Sequence, residues 1–186
     1  MARLCSFLEF CTERPLGEPL RTFALRVPGT LPYSALMLTL RTPRPDEAAI
    51  LTELCLRSKA VWGYAEGFMR ACRNELTLAS SAMQSSHLKV VKIDGGLVRM
   101  AEVTVKGDIA ELDKLFVEPT RLRSGGGRAL FDWAKNTARQ AAATTLVIEA
   151  DPNASGFYRR MGAIDDGIAS SGSIPGRFVP RLKIVL

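Results

Sequence analysis

Three consecutive glycines, Gly125 to Gly127, follow a strand-like apolar run and precede a helix-like pattern. Glycine has no Cβ, so the backbone N–H groups of such a turn can approach an anion closely. The helix that follows adds unpaired amides and the positive end of its dipole. Arg121, Arg123 and Arg128 place mobile positive charge on both sides of the glycines. The segment therefore predicts a phosphate-binding turn.

Two common nucleotide-binding motifs do not fit this turn. It lacks the GK[ST] ending of a P-loop. It also lacks a G-x-G-x-x-G followed by an acidic residue about 20 positions later, which dinucleotide-binding folds use. Both motifs are therefore disfavoured, and the surrounding sequence has to indicate which phosphate compound binds.

Composition and charge limit the class of protein. The chain has 186 residues, 47% of them hydrophobic, which suits one domain with one core. Its formal net charge is +6, but lysine and arginine are spread along the chain without interleaved aromatics, so a small polyanion is expected rather than a nucleic acid. Four cysteines and one histidine lack the spacing of a zinc site or a disulfide framework, so no metal is expected. No run has the length of a membrane span and no secretory signal is evident, which predicts a soluble cytoplasmic protein without a membrane partner.

The N-terminal segment differs from the remainder of the chain. Six prolines and glycines interrupt the apolar runs of residues 1–36 before a helix or strand can form. We therefore predict a poorly ordered extension over residues 1–36 and a domain over residues 37–186, with Met37 as a natural start for that domain.

Regular patterns fill the predicted domain. After a first strand, Asp46 is a suitable N-cap for a helix whose apolar face would include Ile50, Leu54 and Val61, with Leu51 and Ala60 beside them. A second amphipathic helix is predicted to end near residue 76. Tight-turn sequences join three further strands, a helix follows the glycine turn, and a near-continuous apolar run predicts a central strand. The further strands are predicted at 87–93, 97–106, 109–117 and 145–150 and within 163–170 and 178–185, with a short helix over 154–161.

From Met37 to Leu186, this order of elements resembles the GCN5-related N-acetyltransferase (GNAT) family. The family signature R/Q-x-x-G-x-G/A is matched by the six residues from Leu122 to Gly127, with Leu122 in place of the Arg or Gln. A second block, DPNASGFYRRMGA over 151–163, is similar to the family pattern N-x-x-A-x-x-F-Y-x-x-x-G-F. The resemblance implies an α/β (α+β) fold, with a mixed, mostly antiparallel sheet of six to seven strands flanked by about four helices.

The resemblance also implies acetyl-CoA as co-substrate. In the family, backbone amides of the glycine turn contact the pyrophosphate, and the strand before the turn pairs with the pantetheine arm. The residues expected to bind acetyl-CoA are Leu115, Phe116, Val117, Arg123, Ser124, Gly125, Gly126, Gly127, Arg128, Asn153 and Tyr158.

Acetyl transfer to an amine needs a base, a stabilised carbonyl oxygen and a proton for the departing thiolate. The resemblance implies Glu111 as base, and Asp113 competes because it would share a face with Glu111 in an unbroken strand. A backbone N–H near Leu115 or Phe116 would contact the oxygen. Tyr158 would be the acid. Alternatively, both carboxylates are simply exposed strand residues and Tyr158 is a packed aromatic.

Three further residues each have two possible roles. Asn153 either bonds to the pantetheine and fixes its loop, or caps a helix. Trp62 and Tyr64 either form a wall of the acceptor site, as in relatives, or pack at a helix junction. The residues expected to bind the substrate are Trp62, Tyr64 and Asp113.

Three functions follow from these residues. The first is an acetyl-CoA-dependent N-acetyltransferase that acts on a primary amine, with a small molecule as the expected acceptor. The second is a CoA-binding sensor or regulatory module with weak or no turnover. The third is a protein- or RNA-associated N-acetyltransferase. Dimers are frequent in the family, so the sequence leaves open a homodimer and a monomer.

Overall fold

The computed structural model describes residues 38–80, 83, 85–122 and 124–186, so the predicted extension, Met37 and Arg123 lie outside the described residues. Within these ranges, seven strands form one mixed sheet and four α-helices flank it, which confirms the predicted fold class. None of the helices in these ranges is long and apolar enough to cross a membrane. The elements are β1 (Leu38–Arg41), α1 (Ala48–Ala60), α2 (Glu66–Leu76), β2 (His87–Ile93), β3 (Gly96–Lys106), β4 (Ile109–Val117), α3 (Gly126–Gln140), β5 (Thr145–Glu149), α4 (Pro152–Arg160), β6 (Ile164–Ser170) and β7 (Phe178–Val185).

The strand order of the sheet is β1-β2-β3-β4-β5-β7-β6. Every neighbouring pair is antiparallel except β4 and β5, which run parallel. Strand β5 lies inside the sheet and buries Leu146, Val147 and Ile148 in succession. The near-continuous apolar run therefore does form an interior strand, as predicted.

Helix α1 differs from its prediction in both its start and its buried face. A 3-10 turn over Pro45–Glu47 comes first, so Asp46 lies inside that turn and is not the N-cap of the helix. Ile50 and Val61 are exposed, whereas the buried stripe runs through Leu51, Leu54 and Cys55. Both stripes contain Leu54 at helical spacing, so periodicity alone did not determine the rotation of the helix.

An ion pair between β1 and the start of α1 fixes that rotation. The buried Glu47 carboxylate accepts hydrogen bonds from Arg41, at 2.7 Å from Nη1 and 2.5 Å from Nη2, and another from the Arg44 backbone N–H at 2.8 Å. These hydrogen bonds, led by those from Arg41, lower the pKa of Glu47 to about 2. Glu47 is thereby turned inward, and the stripe that contains Leu51 faces the sheet.

The core is divided between the two faces of the sheet. One buried cluster joins α1 and α2 to β2 and β3, and includes Leu51, Cys72 and Met100. A second buried cluster joins α3 and α4 to β3, β4 and β5, and includes Phe131 and Leu146. The sheet is therefore the middle layer of three, as expected when both of its faces are apolar.

Strand β4 contains a β-bulge at Asp113. Lys114 pairs with Glu102 and Leu112 pairs with Val103, so Asp113 is an extra residue without a partner on β3. The bulge changes which side each later residue faces: Leu112 packs in the cluster with α3, whereas Phe116, four positions later, packs in the cluster with α1. Glu111 and Asp113 therefore do not belong to an unbroken strand.

Candidate active site

The parallel strands β4 and β5 separate halfway along their length. Their pairing covers only Ile109–Thr145, Ala110–Leu146 and Glu111–Val147. Beyond Glu111, no strand in the described part of the chain pairs with the edge of β4 that faces β5. The sheet therefore opens into a wedge between its two parallel strands.

The direction of the backbone amides along this open edge follows from the bonds at the end of β4. The Glu118 N–H donates to Val98 O at 2.8 Å, towards β3, whereas the Val117 N–H donates to Ser58 Oγ at 3.3 Å. Alternate amides of an extended strand point in opposite directions. The Leu115 N–H therefore points with that of Val117 towards the open edge, whereas the Phe116 N–H points to β3.

A cavity of about 1120 Å³ occupies the wedge. It reaches from the glycine turn, past β4 and β5, to the junction of α1 and α2. Most of the predicted site residues line it, although they come from distant parts of the chain. They are Trp62, Glu111, Asp113, Leu115, Phe116, Val117, Ser124, Gly125, Gly127, Arg128, Asn153 and Tyr158.

The glycine turn has the backbone geometry of an anion site. Gly125 has φ +77°, the left-handed region that glycine adopts without a Cβ penalty, and α3 begins at the next residue. No side chain in the described part of the chain caps this helix. The first amides of a helix have no partner within it, so those of α3 can bond to a ligand. The turn thus presents backbone donors and a positive helix end to the cavity.

An arginine that sequence reasoning did not select lies beneath this turn. Arg99, on β3, is only 5% exposed, and a methyl group added at Gly126 would overlap its guanidinium. Its Nη2 donates to Ser124 Oγ at 2.7 Å, and this hydroxyl donates to the Arg121 carbonyl at 2.6 Å. Desolvation by burial, followed by repulsion from Arg121, lowers the pKa of Arg99. In sequence, Arg99 is an ordinary strand residue between apolar neighbours, and nothing local marks it.

Tyr158 lies at the wall of the cavity with its ring in the core. Its ring contacts those of Phe131 and Phe157, with centroids 5.5 and 5.1 Å away, and the residue is 7% exposed. Among the described residues, its hydroxyl has no hydrogen-bond partner. Burial raises the pKa of Tyr158 above its usual value, so the phenol keeps its proton and can donate it.

The two candidate carboxylates have different surroundings. The Glu111 side chain is 47% exposed, and its salt bridge is with the exposed Lys106, at 3.7 Å between Oε2 and Nζ. Asp113 stands at the bulge, and its side chain is exposed. Although Asp113 remains in contact with solvent, desolvation of its carboxyl raises its pKa, and the negative charge of Glu102 adds to this effect.

A network of side chains, here called the Tyr64 network, lies near the α1–α2 junction and includes three residues of the cavity lining, Lys59, Asp151 and Asn153. The Tyr64 hydroxyl donates to the Asp151 carboxylate, with both oxygens at 2.9 Å, and accepts from Asn153 Nδ2 at 3.1 Å and Arg177 Nη2 at 3.2 Å. Lys59 Nζ lies 3.4 Å from Asp151 Oδ2. Burial, followed by the contact with Asp151, raises the pKa of Tyr64. The network ties α1, the α1–α2 junction, the start of α4 and the β6–β7 loop together.

The network clarifies the geometry of three predicted residues. Asp151, rather than Asn153, is the N-cap of α4, because its side chain accepts from the Asn153 N–H at 3.0 Å. Tyr64 stacks on Phe68 with centroids 4.1 Å apart and is not part of the cavity lining. Trp62, two positions earlier, is exposed and does line the cavity.

Two cysteines, Cys55 and Cys72, belong to the described residues. Cys55 and Cys72 are buried and free, and burial raises the pKa of the Cys55 thiol to about 12, so it is not a nucleophile at neutral pH. Over the same ranges, no group of three or more His, Cys, Asp or Glu side chains is arranged to hold a metal ion.

Comparison with known families identifies the chain. The splayed sheet and its flanking helices form a GNAT-like fold. A family model described as the acetyltransferase (GNAT) domain matches residues 53–167, which is more than half of the chain. The chain therefore belongs to the GNAT family of acetyl-CoA-dependent N-acetyltransferases, as the sequence resemblance implied.

Solved structures share the fold at low sequence identity. The PaiA N-acetyltransferase from Thermoplasma acidophilum, in complex with coenzyme A, is 15% identical over 80% of this chain and 99% of its own, with a TM-score of 0.64. YncA from Salmonella typhimurium, with its cofactor acetyl-CoA, is 16% identical over 80% and 93%, with a TM-score of 0.58. The ribosomal-protein-S18-alanine N-acetyltransferase from Escherichia coli is 17% identical over 80% and 94%, with a TM-score of 0.60. Among curated proteins, no significant match is found.

Proposed function

We propose that this protein transfers the acetyl group of acetyl-CoA to a primary amine of a small molecule, by direct attack of the amine on the thioester. One observation carries the proposal: a single cavity runs from the glycine turn through the wedge between β4 and β5 to the α1–α2 junction, and acidic residues are part of its lining. A phosphate-bearing thioester placed in this cavity would meet the hydrogen-bond donors of the glycine turn at one end and the site for the amine at the other.

The described residues fit acetyl-CoA, which would supply the activated acetyl thioester. The amides from Ser124 to Arg128 would hold its pyrophosphate, because they lie at a side-chain-free turn and at a helix N-terminus. The open edge of β4 would pair with the pantetheine arm, and Asn153 lies beside it on the opposite wall. Arg123 was predicted to contribute as well and lies outside the described residues.

Three groups would carry the chemistry. Glu111 would accept the proton of the attacking amine, directly or through a water molecule. The Leu115 N–H, which points to the open edge, would donate to the carbonyl oxygen as negative charge builds there. Tyr158 would donate its phenolic proton to the departing sulfur, and its lack of a partner among the described residues leaves the hydroxyl free for that role.

The acceptor end of the cavity favours a positively charged amine. Glu75, Glu111 and Asp113 are three of the acidic residues that line the cavity. Trp62 supplies an exposed aromatic surface in the lining of the same cavity. Three residues of the Tyr64 network, Lys59, Asp151 and Asn153, also line the cavity, and a small amine would bind among these side chains.

The proposal is tested by following thiol release from acetyl-CoA with a panel of amines. We expect release with di- and polyamines and weaker release with anionic amines such as glutamate, because the acceptor end is acidic. Measurable CoA binding without release on any amine would support the sensor alternative instead. Release that requires peptide N-termini and falls steeply with salt would support a protein acetyltransferase.

A further inference from the structure

The glycine turn rests on a buried positive charge that has no carboxylate partner in the described part of the chain. Arg99 is 95% buried, given its 5% exposure, and its Nε has no hydrogen-bond partner there. Its one side-chain hydrogen bond within these ranges goes to the neutral hydroxyl of Ser124. A buried guanidinium usually lies against a carboxylate, because an unpaired buried charge is costly.

The surroundings of Arg99 make that charge more costly still. The guanidinium contacts the backbone at Gly126, where the N-terminus of α3 carries its own partial positive charge. Arg121 adds a second full positive charge nearby. Positive charge therefore converges on the turn from three sources, and the described residues supply no anion to balance it.

We propose that Arg99 supplies from β3 the fixed positive charge with which the glycine turn holds the diphosphate of CoA, in place of the signature Arg or Gln that is Leu122 in this chain. This inference rests on the proposed function, because it assigns the anion to acetyl-CoA. Arg99 acts beneath the turn as a positioning residue. Its charge attracts the diphosphate, and its hydrogen bond to Ser124 Oγ holds the turn through the Arg121 carbonyl.

This arrangement explains why residue 126 is a glycine. Any Cβ there would overlap the guanidinium, so the side-chain-free position lets the charge approach the backbone of the turn. Leu122 is exposed and apolar, and therefore cannot supply the charge itself. The two departures from an ordinary phosphate turn, the Leu at the signature position and the buried Arg below it, compensate for each other.

The test measures the affinity of folded variants for CoA, 3′-dephospho-CoA and inorganic pyrophosphate by calorimetry at several salt concentrations. Arg99→Met removes the charge and keeps an apolar side chain of similar length. We expect it to weaken CoA and dephospho-CoA binding by the same factor, at least about tenfold, and to flatten the salt dependence of both. Arg139→Met is the matched control, an exposed arginine in the last turn of α3, and we expect it to change affinity by less than about twofold.

Two further variants separate charge from structure and remain informative if Arg99→Met does not fold. Arg99→Gln can still donate to Ser124 but is neutral, so we expect it to lose affinity as Arg99→Met does. Arg99→Lys keeps the charge, so we expect a smaller loss and an unchanged salt dependence. A purely structural role would instead lower the thermal stability of the neutral variants and leave their CoA affinity at the wild-type value.

The outcomes separate this inference from the proposed function. Wild-type CoA binding together with equal binding by Arg99→Met and Arg99→Gln would overturn the inference alone. Arg99-dependent CoA binding without thiol release on any amine would support the inference and overturn the proposed function. Binding of neither CoA nor pyrophosphate by the wild type would overturn both.

Discussion

The two ends of the cavity are built in different ways. The phosphate end has backbone donors from the contiguous residues 124–128, where α3 begins, with Arg99 of β3 beneath them. The acceptor end depends on the Tyr64 network. In this network the Tyr64 hydroxyl bonds to Asp151, which is 87 positions later in the chain, and to Arg177, which is 113 positions later. The backbone donors of the phosphate end are therefore specified locally by glycine, whereas the acceptor end exists only after distant segments have packed together.

The difference determines how each end responds to substitution. A backbone site fails when an added atom fills the space that the ligand or a neighbouring group needs, so its loss is abrupt. A side-chain network loses one hydrogen bond at a time, so its loss is graded. Substitutions at the two ends are expected to separate binding of acetyl-CoA from binding of the amine.

The largest effect is expected from Gly126→Ala. The new Cβ would overlap the Arg99 guanidinium, so the turn or the arginine has to move. We expect CoA affinity to fall on the order of 100-fold, about 3 kcal/mol, as measured by calorimetry. Gly67→Ala, on the exposed face of α2, is the control, since it should leave CoA affinity unchanged and favour the helix. Near-normal CoA affinity in Gly126→Ala would show that the close approach at this glycine is dispensable.

Tyr158→Phe should have the next largest effect and should act on turnover alone. The ring stays in place in the core, but the proton for the sulfur is lost. We expect kcat to fall on the order of 100-fold with CoA affinity within about threefold of the wild type. Steady-state kinetics and calorimetry on the same sample measure the two quantities. Equal losses in both would mean that Tyr158 acts only in packing, as the alternative reading of the sequence holds.

Glu111→Gln and Asp113→Asn test the roles of the two carboxylates. We expect Glu111→Gln to lower kcat by at least about tenfold, because general-base catalysis contributes factors of this size or more. We expect Asp113→Asn chiefly to raise the KM of a cationic amine, because the ionised carboxylate attracts it. Initial rates as a function of amine concentration and pH measure both. The reverse result, with kcat lost in Asp113→Asn, would move the base to Asp113.

The pKa of Asp113 adds a pH dependence with a definite sign. Its pKa is raised in the folded protein, so the protonated carboxyl is the better-tolerated form there. Its contribution to stability is therefore largest at low pH and declines as the pH rises through the raised pKa. The amine KM should fall over the same pH interval. Asp113→Asn should abolish this pH dependence of KM and, at neutral pH, raise the midpoint of thermal unfolding.

The smallest effect is expected from Tyr64→Phe at the acceptor end. The stack on Phe68 remains, but the hydrogen bonds to Asp151, Asn153 and Arg177 are lost. We expect the amine KM to rise by about fivefold, about 1 kcal/mol, with CoA affinity unchanged. An equal fall in CoA affinity would mean that the network supports the whole wedge rather than its acceptor end.

Much of the phosphate end and of the sheet was predictable from the sequence. Hairpin turns, apolar alternation and the near-continuous run of β5 are local signals, and the elements that they predicted are present. The glycine turn was predictable for the same reason, because glycine is visible in the sequence and its lack of a Cβ is a local property. The family resemblance then gave the order in which these elements assemble.

The remainder depended on contacts between distant residues. The rotation of α1 is set by the pairing of Glu47 with Arg41, so periodicity chose the wrong stripe through Leu54. Arg99 resembles any strand arginine until α3 covers it. Tyr64 belongs to a polar network in which its partners Asp151, Asn153 and Arg177 lie in two distant segments, and no spacing in the sequence connects them.

The extra residue at Asp113 has a consequence for comparing this enzyme with its relatives. Because the bulge inverts the inside–outside pattern of β4, a homologue without the insertion would present a different side chain to the amine at the same distance from the glycine turn. An ungapped alignment across this strand would then exchange solvent-facing and core-facing positions. Deleting one residue here should likewise shift the register of one half of the strand. The apolar side chains of that half would then face the wrong side of the sheet and leave their buried cluster.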